Sequence, residues 1–217
     1  MKIIEPYTKI LTPISPDGLD ELKRIEVVAR TCYKSEGKIT EDGESAKQIV
    51  GALIRRGHEA MLEHSQLSVL WVCDRGISHE LVRHRLASWA QESTRYCNYS
   101  QEKFGHEITV VRPYFFNNDN KYAVWLTAMS TAEVCYFQLL DGGATPQEAR
   151  SVLPNSLKTE VVMTANYREW RSFFKLRCAS DAHPQMRQLA LPLLKEVHNL
   201  IPVVFNDIYA TYFSLDN

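Results

Sequence analysis

The densest group of chemically active side chains lies between Arg83 and Arg95. Three arginines, one histidine and the adjacent hydroxyl groups of Ser93 and Thr94 fall within thirteen positions. A guanidinium group forms paired hydrogen bonds with phosphate oxygens and with uracil-like carbonyl edges, and a nearby hydroxyl adds a shorter contact to the same anion. The segment therefore indicates a binding site for a nucleotide.

The spacing within this segment predicts how its side chains point. We expect the helix that precedes it to run into Arg83, so that Arg83 and Arg85 point about 200° apart and contact different ligands or different ends of one. We expect an extended stretch to follow, which would place Ser93 and Arg95 on one side. The alternative is a solvated basic helix end, which the helix dipole stabilises without a ligand. The downstream Gln91, Ser93 and Arg95 favour the nucleotide site.

The overall composition limits the classes of partner. The 217 residues include 25 Lys and Arg against 26 Asp and Glu, so no general field attracts nucleic acid or an anionic membrane. A hydrophobic content of 45% supports a folded core, and we expect one domain over 1–217. The five cysteines are scattered and odd in number, which predicts a cytoplasmic protein. The absence of a long apolar run predicts a protein without a membrane segment.

Hydrophobic periodicity predicts the elements that must position these side chains. Asp74 is a predicted N-cap, and Thr145-Pro146-Gln147-Glu148 has the pattern of a capping box. The predicted helices and strands do not alternate strictly as βαβ units. This order predicts an α+β fold, with helices around a small, mostly antiparallel sheet. The predicted strands cover 1–12, 65–73, 108–111 and 156–165, and the predicted helices cover 19–30, 44–56, 74–83, 119–140, 167–176, 185–200 and 203–212.

One family shares this arrangement of residues. Arg83-His84-Arg85, seven further residues and then Ser93 resemble the R-H-R-x7-S signature of flavin-dependent thymidylate synthases, extended here by Arg95-Tyr96. This chain has Ala90-Gln91 where many members have Asn-Glu, and Ala60 where they have Ser or Thr. Other blocks similar to the family follow in the family order, at 29–33, 57–64, 149–154, 164–168 and 176–177.

The resemblance implies a methyltransferase that converts dUMP to dTMP, with 5,10-methylenetetrahydrofolate as carbon donor and FAD, reduced by NADPH, as hydride source. It implies a homotetramer with sites shared between subunits, and Arg177 as the catalytic residue at the uracil N3 and O4 edge. The implied dUMP site comprises Glu80, Leu81, Val82, Arg83, Gln91, Glu92, Ser93, Thr94, Arg95, Arg150 and Arg177. The implied FAD site comprises His58, Ala60, Arg83, His84, Arg85, Gln91, Asn166, Tyr167, Arg168 and Ser172.

Several residues have a second interpretation. The sequence contains no G-x-G-x-x-G after a strand, so we expect the flavin to bind outside a Rossmann fold. Asn166 has the position of a helix N-cap, and this role is compatible with ligand contact. His58 and His64 are six apart, which would place them on nearly opposite helical faces, so we expect no metal site. Ser93 is interpreted as a binding residue because no general base adjoins it in the sequence.

Two other classes of function remain open at this point. A nucleic-acid-binding module could use Trp89, Tyr96 and Tyr99 as stacking platforms beside the arginines. The near-neutral charge and the lack of a second basic stripe argue against it. A metal-dependent nucleotide hydrolase is the other alternative. A flavin-dependent enzyme would be yellow and release FAD on heating, whereas the hydrolase would be colourless and carry zinc.

Overall fold

The computed structural model describes residues 1–116 and 120–213. The prediction of an α+β fold, with mixed helices around a small, mostly antiparallel sheet, is confirmed. The strands are β1 (Lys2–Ile4), β2 (Tyr7–Ile10), β3 (Gln66–Asp74), β4 (Ala87–Gln91), β5 (Thr109–Val111) and β6 (Lys158–Asn166). The helices are α1 (Leu19–Tyr33), α2 (Glu44–Arg55), α3 (Arg75–Leu81), α4 (Asn120–Asp141), α5 (Pro146–Ala149), α6 (Tyr167–Arg177), α7 (Pro184–Leu200) and α8 (Pro202–Phe213).

Two sheets connect these strands. In the two-stranded sheet β1 runs parallel to β5, with Lys2 opposite Thr109, and in the four-stranded sheet the order is β2-β3-β6-β4. Along β6, Thr159, Val161 and Met163 are all buried, as the two-residue periodicity of the sequence predicted. None of the helices within the described ranges is long and apolar enough to cross a membrane.

The chain forms two compact units, and the prediction of one domain over 1–217 stays a prediction. The first unit comprises 1–9, 70–84 and 89–162, and the second comprises 10–69, 85–88 and the chain from 163 onward. Trp125 and Tyr136 of α4 pack in the core of the first unit with Ile108 and Val110. The N-terminal amine reaches the carboxylate of Glu133 on the same helix at 3.1 Å.

Helix packing builds the core of the second unit. Trp170, Phe173 and Phe174 of α6 are fully buried, and Phe174 meets Phe205 of α8 edge to face at 5.8 Å between ring centroids. The indole of Trp170 donates to the carbonyl of Leu67 at 3.0 Å, which satisfies its one polar group. Helix α6 is thereby fixed by both apolar contact and a buried hydrogen bond.

The structure defines the ends of three predicted elements. The capping box is present, since Glu148 Oε2 accepts hydrogen bonds from Thr145 N at 2.7 Å and from Thr145 Oγ1 at 2.6 Å. The long helix was predicted from Asp119, which lies outside the described residues, and it runs from Asn120 to Asp141. The predicted first strand over 1–12 is two strands, because Pro6 cannot donate a hydrogen bond to a strand ladder.

Candidate active site

Helix α3 leads into the arginine-rich segment of the first unit. Asp74 is its N-cap, with Oδ1 accepting the Ile77 N–H at 2.7 Å, as predicted. The prediction that the helix runs into Arg83 is wrong, because the helix ends at Leu81. The N–H of His84 instead donates to the carbonyl of Leu81 at 3.1 Å. A hydrogen bond between residues three positions apart closes a turn.

The residues of this turn differ sharply in exposure. Leu81 is fully buried and His84 is 8% exposed, whereas Val82 and Arg83 are exposed. The carbonyl of His84 accepts a hydrogen bond from the indole of Trp89 at 3.2 Å. Arg83 is therefore the residue of this turn that presents a charge to solvent, and Leu81 contributes a side chain to the core.

The amide of Gln91 is held by two elements of the first unit. Its Nε2 donates to Ser78 Oγ on α3 at 3.0 Å and to Thr159 Oγ1 on β6 at 3.2 Å. Strand β4, which ends at Gln91, was not predicted from the sequence. The contact of Gln91 with uracil or flavin stays a prediction, but the protein itself fixes the orientation of the amide.

A closed loop over residues 92–99, here called the 92–99 loop, follows β4. The Ser93 carbonyl accepts the N–H groups of Tyr96 at 3.1 Å and of Cys97 at 2.9 Å, and Ser93 Oγ accepts the Arg95 N–H at 3.4 Å. The expectation of an extended stretch through Ser93 and Arg95 is wrong, since the backbone turns after Ser93. Its side-chain hydrogen bond to the backbone two residues on is a local alternative to strand structure.

Arg150 contacts the 92–99 loop. It follows α5, and its Nη1 lies 3.5 Å from Thr94 Oγ1. Arg150 and Arg95 are both exposed, whereas Thr94 is buried. The family resemblance implies Ser93, Thr94, Arg95 and Arg150 as dUMP ligands. These residues lie close together although Arg95 and Arg150 are 55 positions apart in the sequence.

Two residues outside the predicted dUMP site support the loop. Lys158 donates to Glu92 Oε2 at 2.9 Å and contacts Glu160 at 2.7 Å, and the Tyr99 hydroxyl donates to Glu92 Oε1 at 3.2 Å. Tyr99 is 5% exposed and therefore unavailable as a stacking platform for nucleic acid. The sequence signal for Lys158 is the two-residue alternation that places it with Glu160 on one face of β6.

Cys97 lies in the same loop but is not activated. Burial, followed by the charge of Glu92, raises the pKa of its thiol. Burial likewise raises the pKa of Cys178, to about 12, so both thiols stay protonated near neutral pH. Every cysteine falls within the described ranges, and each is a free thiol.

The residues predicted to bind flavin fall mainly in the second unit. His58 and Ala60 are exposed at the start of a 3₁₀ segment over Glu59–His64, and Arg85 is also exposed. Arg168 is half-exposed and forms a salt bridge with Glu63 of the same segment. A donor set of exposed cations and an imidazole fits an anionic dinucleotide. Ser172 is exposed on α6, and Arg177 is its partly buried last residue.

Two of the predicted flavin ligands have structural roles at the start of α6. Asn166 Oδ1 accepts the N–H of Glu169 at 2.8 Å, so the predicted N-cap is present. Tyr167 is fully buried with its ring edge-on to Phe205, so its side chain is unavailable to a ligand. Tyr167 N donates to the Ser65 carbonyl at 3.0 Å. The apolar core of this unit takes the Tyr167 ring because the residue opens a helix whose inner face is aromatic.

A buried guanidinium fixes the 3₁₀ segment. Arg171 of α6 is 1% exposed, bonds both carboxylate oxygens of Asp207 at 2.8 and 2.7 Å, and bonds Glu59 at 3.1 Å and the Val204 carbonyl. Burial alone would lower the pKa of Arg171, but its hydrogen bonds to Asp207 and Glu59 outweigh this effect and raise it. The guanidinium ties the segment that carries His58 to α6 and α8.

A metal centre has no support in the described ranges. No group of three His, Cys, Asp or Glu side chains within 1–116 and 120–213 is placed to hold an ion. Glu59 and Glu63, which lie between His58 and His64 in the sequence, instead accept hydrogen bonds from Arg171 and Arg168.

The sequence is similar to a known protein family and to individual enzymes from other organisms. A family model described as thymidylate synthase complementing protein matches residues 17–203. A flavin-dependent thymidylate synthase from Geobacter sulfurreducens is 35% identical over 189 residues, which cover 84% of this chain and 80% of that protein. One from Corynebacterium aurimucosum is 34% identical over 205 residues, with coverage of 86% and 80%.

A solved structure shares the fold. The UMP/dUMP methylase PolB from Streptomyces cacaoi, bound with 5-Br dUMP, aligns with a TM-score of 0.75 over 100% of both chains. The two sequences are 20% identical, so this likeness concerns the fold alone.

Proposed function

The chain belongs to the thymidylate synthase complementing protein family, as an enzyme of the flavin-dependent thymidylate synthase type, and we propose in detail how it acts. It methylates dUMP reductively to dTMP, with 5,10-methylenetetrahydrofolate as carbon donor. FAD, reduced by NADPH, is the hydride source, and no cysteine acts as nucleophile. The working form is a cytoplasmic homotetramer in which subunits share their sites.

One observation carries the dUMP part of the proposal. The contact between Arg150 and Thr94 brings a guanidinium to the loop that carries Ser93 and Arg95. Two guanidinium groups and the Ser93 hydroxyl match the charge and the hydrogen-bonding capacity of a phosphate dianion. We assign Ser93, Arg95 and Arg150 to the nucleotide phosphate, with Arg83 and Gln91 as further contacts. Thr94 is assigned to orienting Arg150, because its buried hydroxyl contacts that guanidinium.

Arg177 is assigned to the uracil ring. A guanidinium at the N3 and O4 edge stabilises the ring in its N3-deprotonated form, which raises the nucleophilicity of C5. Such a charge acts through preorganised electrostatics, so the chain needs no covalent bond to the ring. The raised pKa of the Cys97 thiol is consistent with a reaction in which Cys97 is not the nucleophile, because a protonated thiol is a poor nucleophile.

The second unit is assigned to the flavin. His58, Arg85, Arg168 and Ser172 are exposed there and offer donors for its ring, phosphates and ribose. When bound, reduced flavin would supply the hydride that completes the methyl group. The contribution of these residues is to bind and orient it, and the hydrogen bond from Arg168 to Glu63 must open or be shared when Arg168 contacts a phosphate.

Tritium release from dUMP labelled at C5 tests the proposed function. We expect release when methylenetetrahydrofolate, FAD and NADPH are all present, together with dTMP formation in equal amount. Omitting FAD from flavin-free protein should abolish both signals. Release that is independent of added FAD and NADPH, or dTMP formation without them, would contradict the proposal.

A further inference from the structure

The carboxylate of Glu92 is bonded on both sides within the first unit. Oε2 accepts from Lys158 at 2.9 Å and Oε1 accepts from the Tyr99 hydroxyl at 3.2 Å. The side chains of Glu92 and Lys158 are only 13% and 20% exposed. The Glu92 N–H also donates to the Glu160 carbonyl at 2.9 Å, so main chain and side chain both tie Glu92 to β6.

These bonds close the 92–99 loop at its two ends. Glu92 is its first residue and Tyr99 its last, and the ring of Tyr99 is anchored edge-on to Phe104 at 5.3 Å. Closing a loop in advance removes conformational entropy that a ligand would otherwise have to remove on binding. Ser93, Thr94 and Arg95 lie between the two ends, so their geometry depends on this closure.

The positive charge of Lys158 has a second effect, on the electrostatics of phosphate binding. An uncompensated carboxylate next to Ser93 would repel a phosphate bound by that serine. Burial alone would lower the pKa of Lys158, but hydrogen bonds to Glu160 and Glu92 outweigh it and raise the pKa, so the ammonium stays charged. Lys158, whose charge Glu92 shares with Glu160, therefore offsets the charge of Glu92 where an uncompensated negative charge would be most unfavourable.

We infer that Glu92, Lys158 and Tyr99 are positioning residues that hold the 92–99 loop in the shape that binds the dUMP phosphate. This inference rests on the proposed function. It also revises the part that the family resemblance implies for Glu92: the carboxylate closes the loop and does not itself contact the substrate.

Lys158→Met tests the inference, because it removes the ammonium and keeps much of the apolar stem. We expect the Kd for dUMP, measured by calorimetry, and the KM for dUMP to rise roughly tenfold, with kcat changed much less. The double variant Glu92→Gln, Lys158→Met should bind dUMP better than Lys158→Met alone, since the unpaired charge is gone. A purely structural role predicts that the double variant is no better than the single one.

Glu160→Gln is the matched control, because it removes the other ion pair of Lys158 without touching the loop. We expect its Kd for dUMP to stay within about twofold of the wild type. Tyr99→Phe removes one hydroxyl from the closure and should raise the Kd by a smaller factor than Lys158→Met. Equal dUMP affinity in Lys158→Met and the wild type would overturn this inference alone. Absence of dUMP binding by the wild type would overturn the proposed function with it.

Discussion

At the scale of single residues, Ser93 is the side chain whose role is most easily misassigned. Its Oγ accepts the N–H of Arg95, and the turn it begins presents Thr94 to Arg150. A hydroxyl in this setting orients a loop, and we propose that it also contacts the phosphate. Nucleophilic catalysis would require a base that removes its proton.

Replacing Ser93 with alanine separates these roles. We expect Ser93→Ala to keep a substantial fraction of kcat while the KM for dUMP rises, because one hydrogen bond to the phosphate is lost. Steady-state kinetics with varied dUMP measures both quantities. A loss of more than about four orders of magnitude in kcat, on the scale of nucleophile knockouts, would instead identify Ser93 as the attacking group.

Among the secondary-structure elements, the sequence predicted well the helices whose first residues form recognisable caps. Asp74 and the Thr145–Glu148 box were recognisable because capping depends on a few adjacent residues. Strand β4 was missed, since Ala87–Gln91 lacks β-branched residues and owes its conformation to its neighbour β6.

In the candidate site, too, features set by neighbouring residues were predictable, and features set by residues distant in sequence were not. Residue types around Arg83 predicted a nucleotide site, but the end of α3 at Leu81 carries no glycine or proline that would mark it. The turn at Ser93 is closed by local hydrogen bonds, but the closure by Lys158 depends on a contact across more than sixty residues of sequence. A single sequence does not display such contacts.

Asn166 lets capping and ligand binding be measured separately. Asn166→Ala should lower the free energy of unfolding by about 1 kcal/mol, because the N–H of Glu169 loses its acceptor. Asn166→Asp keeps an acceptor oxygen at the cap and should retain most of that stability. Urea unfolding measures this, and FAD titration of the same variants reports ligand contact. An unchanged unfolding free energy in Asn166→Ala would show that the cap contributes nothing.

The ion pair between Arg171 of α6 and Asp207 of α8 predicts that the stability of the fold depends on pH. Burial alone would raise the pKa of Asp207, but the hydrogen bonds and charge of Arg171 outweigh this and lower it below its ordinary value of 3.8. The ion pair therefore stabilises the fold fully above pH 3.8, and its contribution is lost as the pH falls through the lower folded-state pKa.

Asp207→Asn tests this link. It should lower the free energy of unfolding at pH 6 by about 1–3 kcal/mol, toward the lower end because the Asp207 carboxylate is half-exposed. Below pH 3.8 the difference from the wild type should shrink. Urea unfolding at several pH values measures it, with Asp181→Asn as an exposed control. A difference that stays constant down to pH 2 would contradict the assignment.

At the scale of the whole molecule, the predicted ligands divide between the two units. The residues assigned to the dUMP phosphate belong to the first, whereas Arg177 and most residues assigned to the flavin belong to the second. The proposed sharing of sites between subunits gives this division a testable consequence.

Mixing two inactive variants tests that sharing. We expect Arg150→Met and Arg177→Met each to lose most activity, and co-expression of the two chains to restore part of it, because some sites in a mixed oligomer would be intact. Sedimentation should give four times the mass of one chain. Activity of the mixture equal to the average of the two variants would indicate that each subunit forms its sites alone.

Arg150 and the 92–99 loop are proposed to bind the phosphate of dUMP. Comparing the affinities for dUMP and for deoxyuridine, which lacks that phosphate, tests this assignment. Arg150→Met should weaken dUMP roughly 10- to 100-fold, the range for a lost charge-assisted hydrogen bond, and leave deoxyuridine unchanged. Arg55→Met, at the exposed end of α2, should change neither affinity. Equal weakening of both ligands by Arg150→Met, or no weakening of dUMP, would contradict the account.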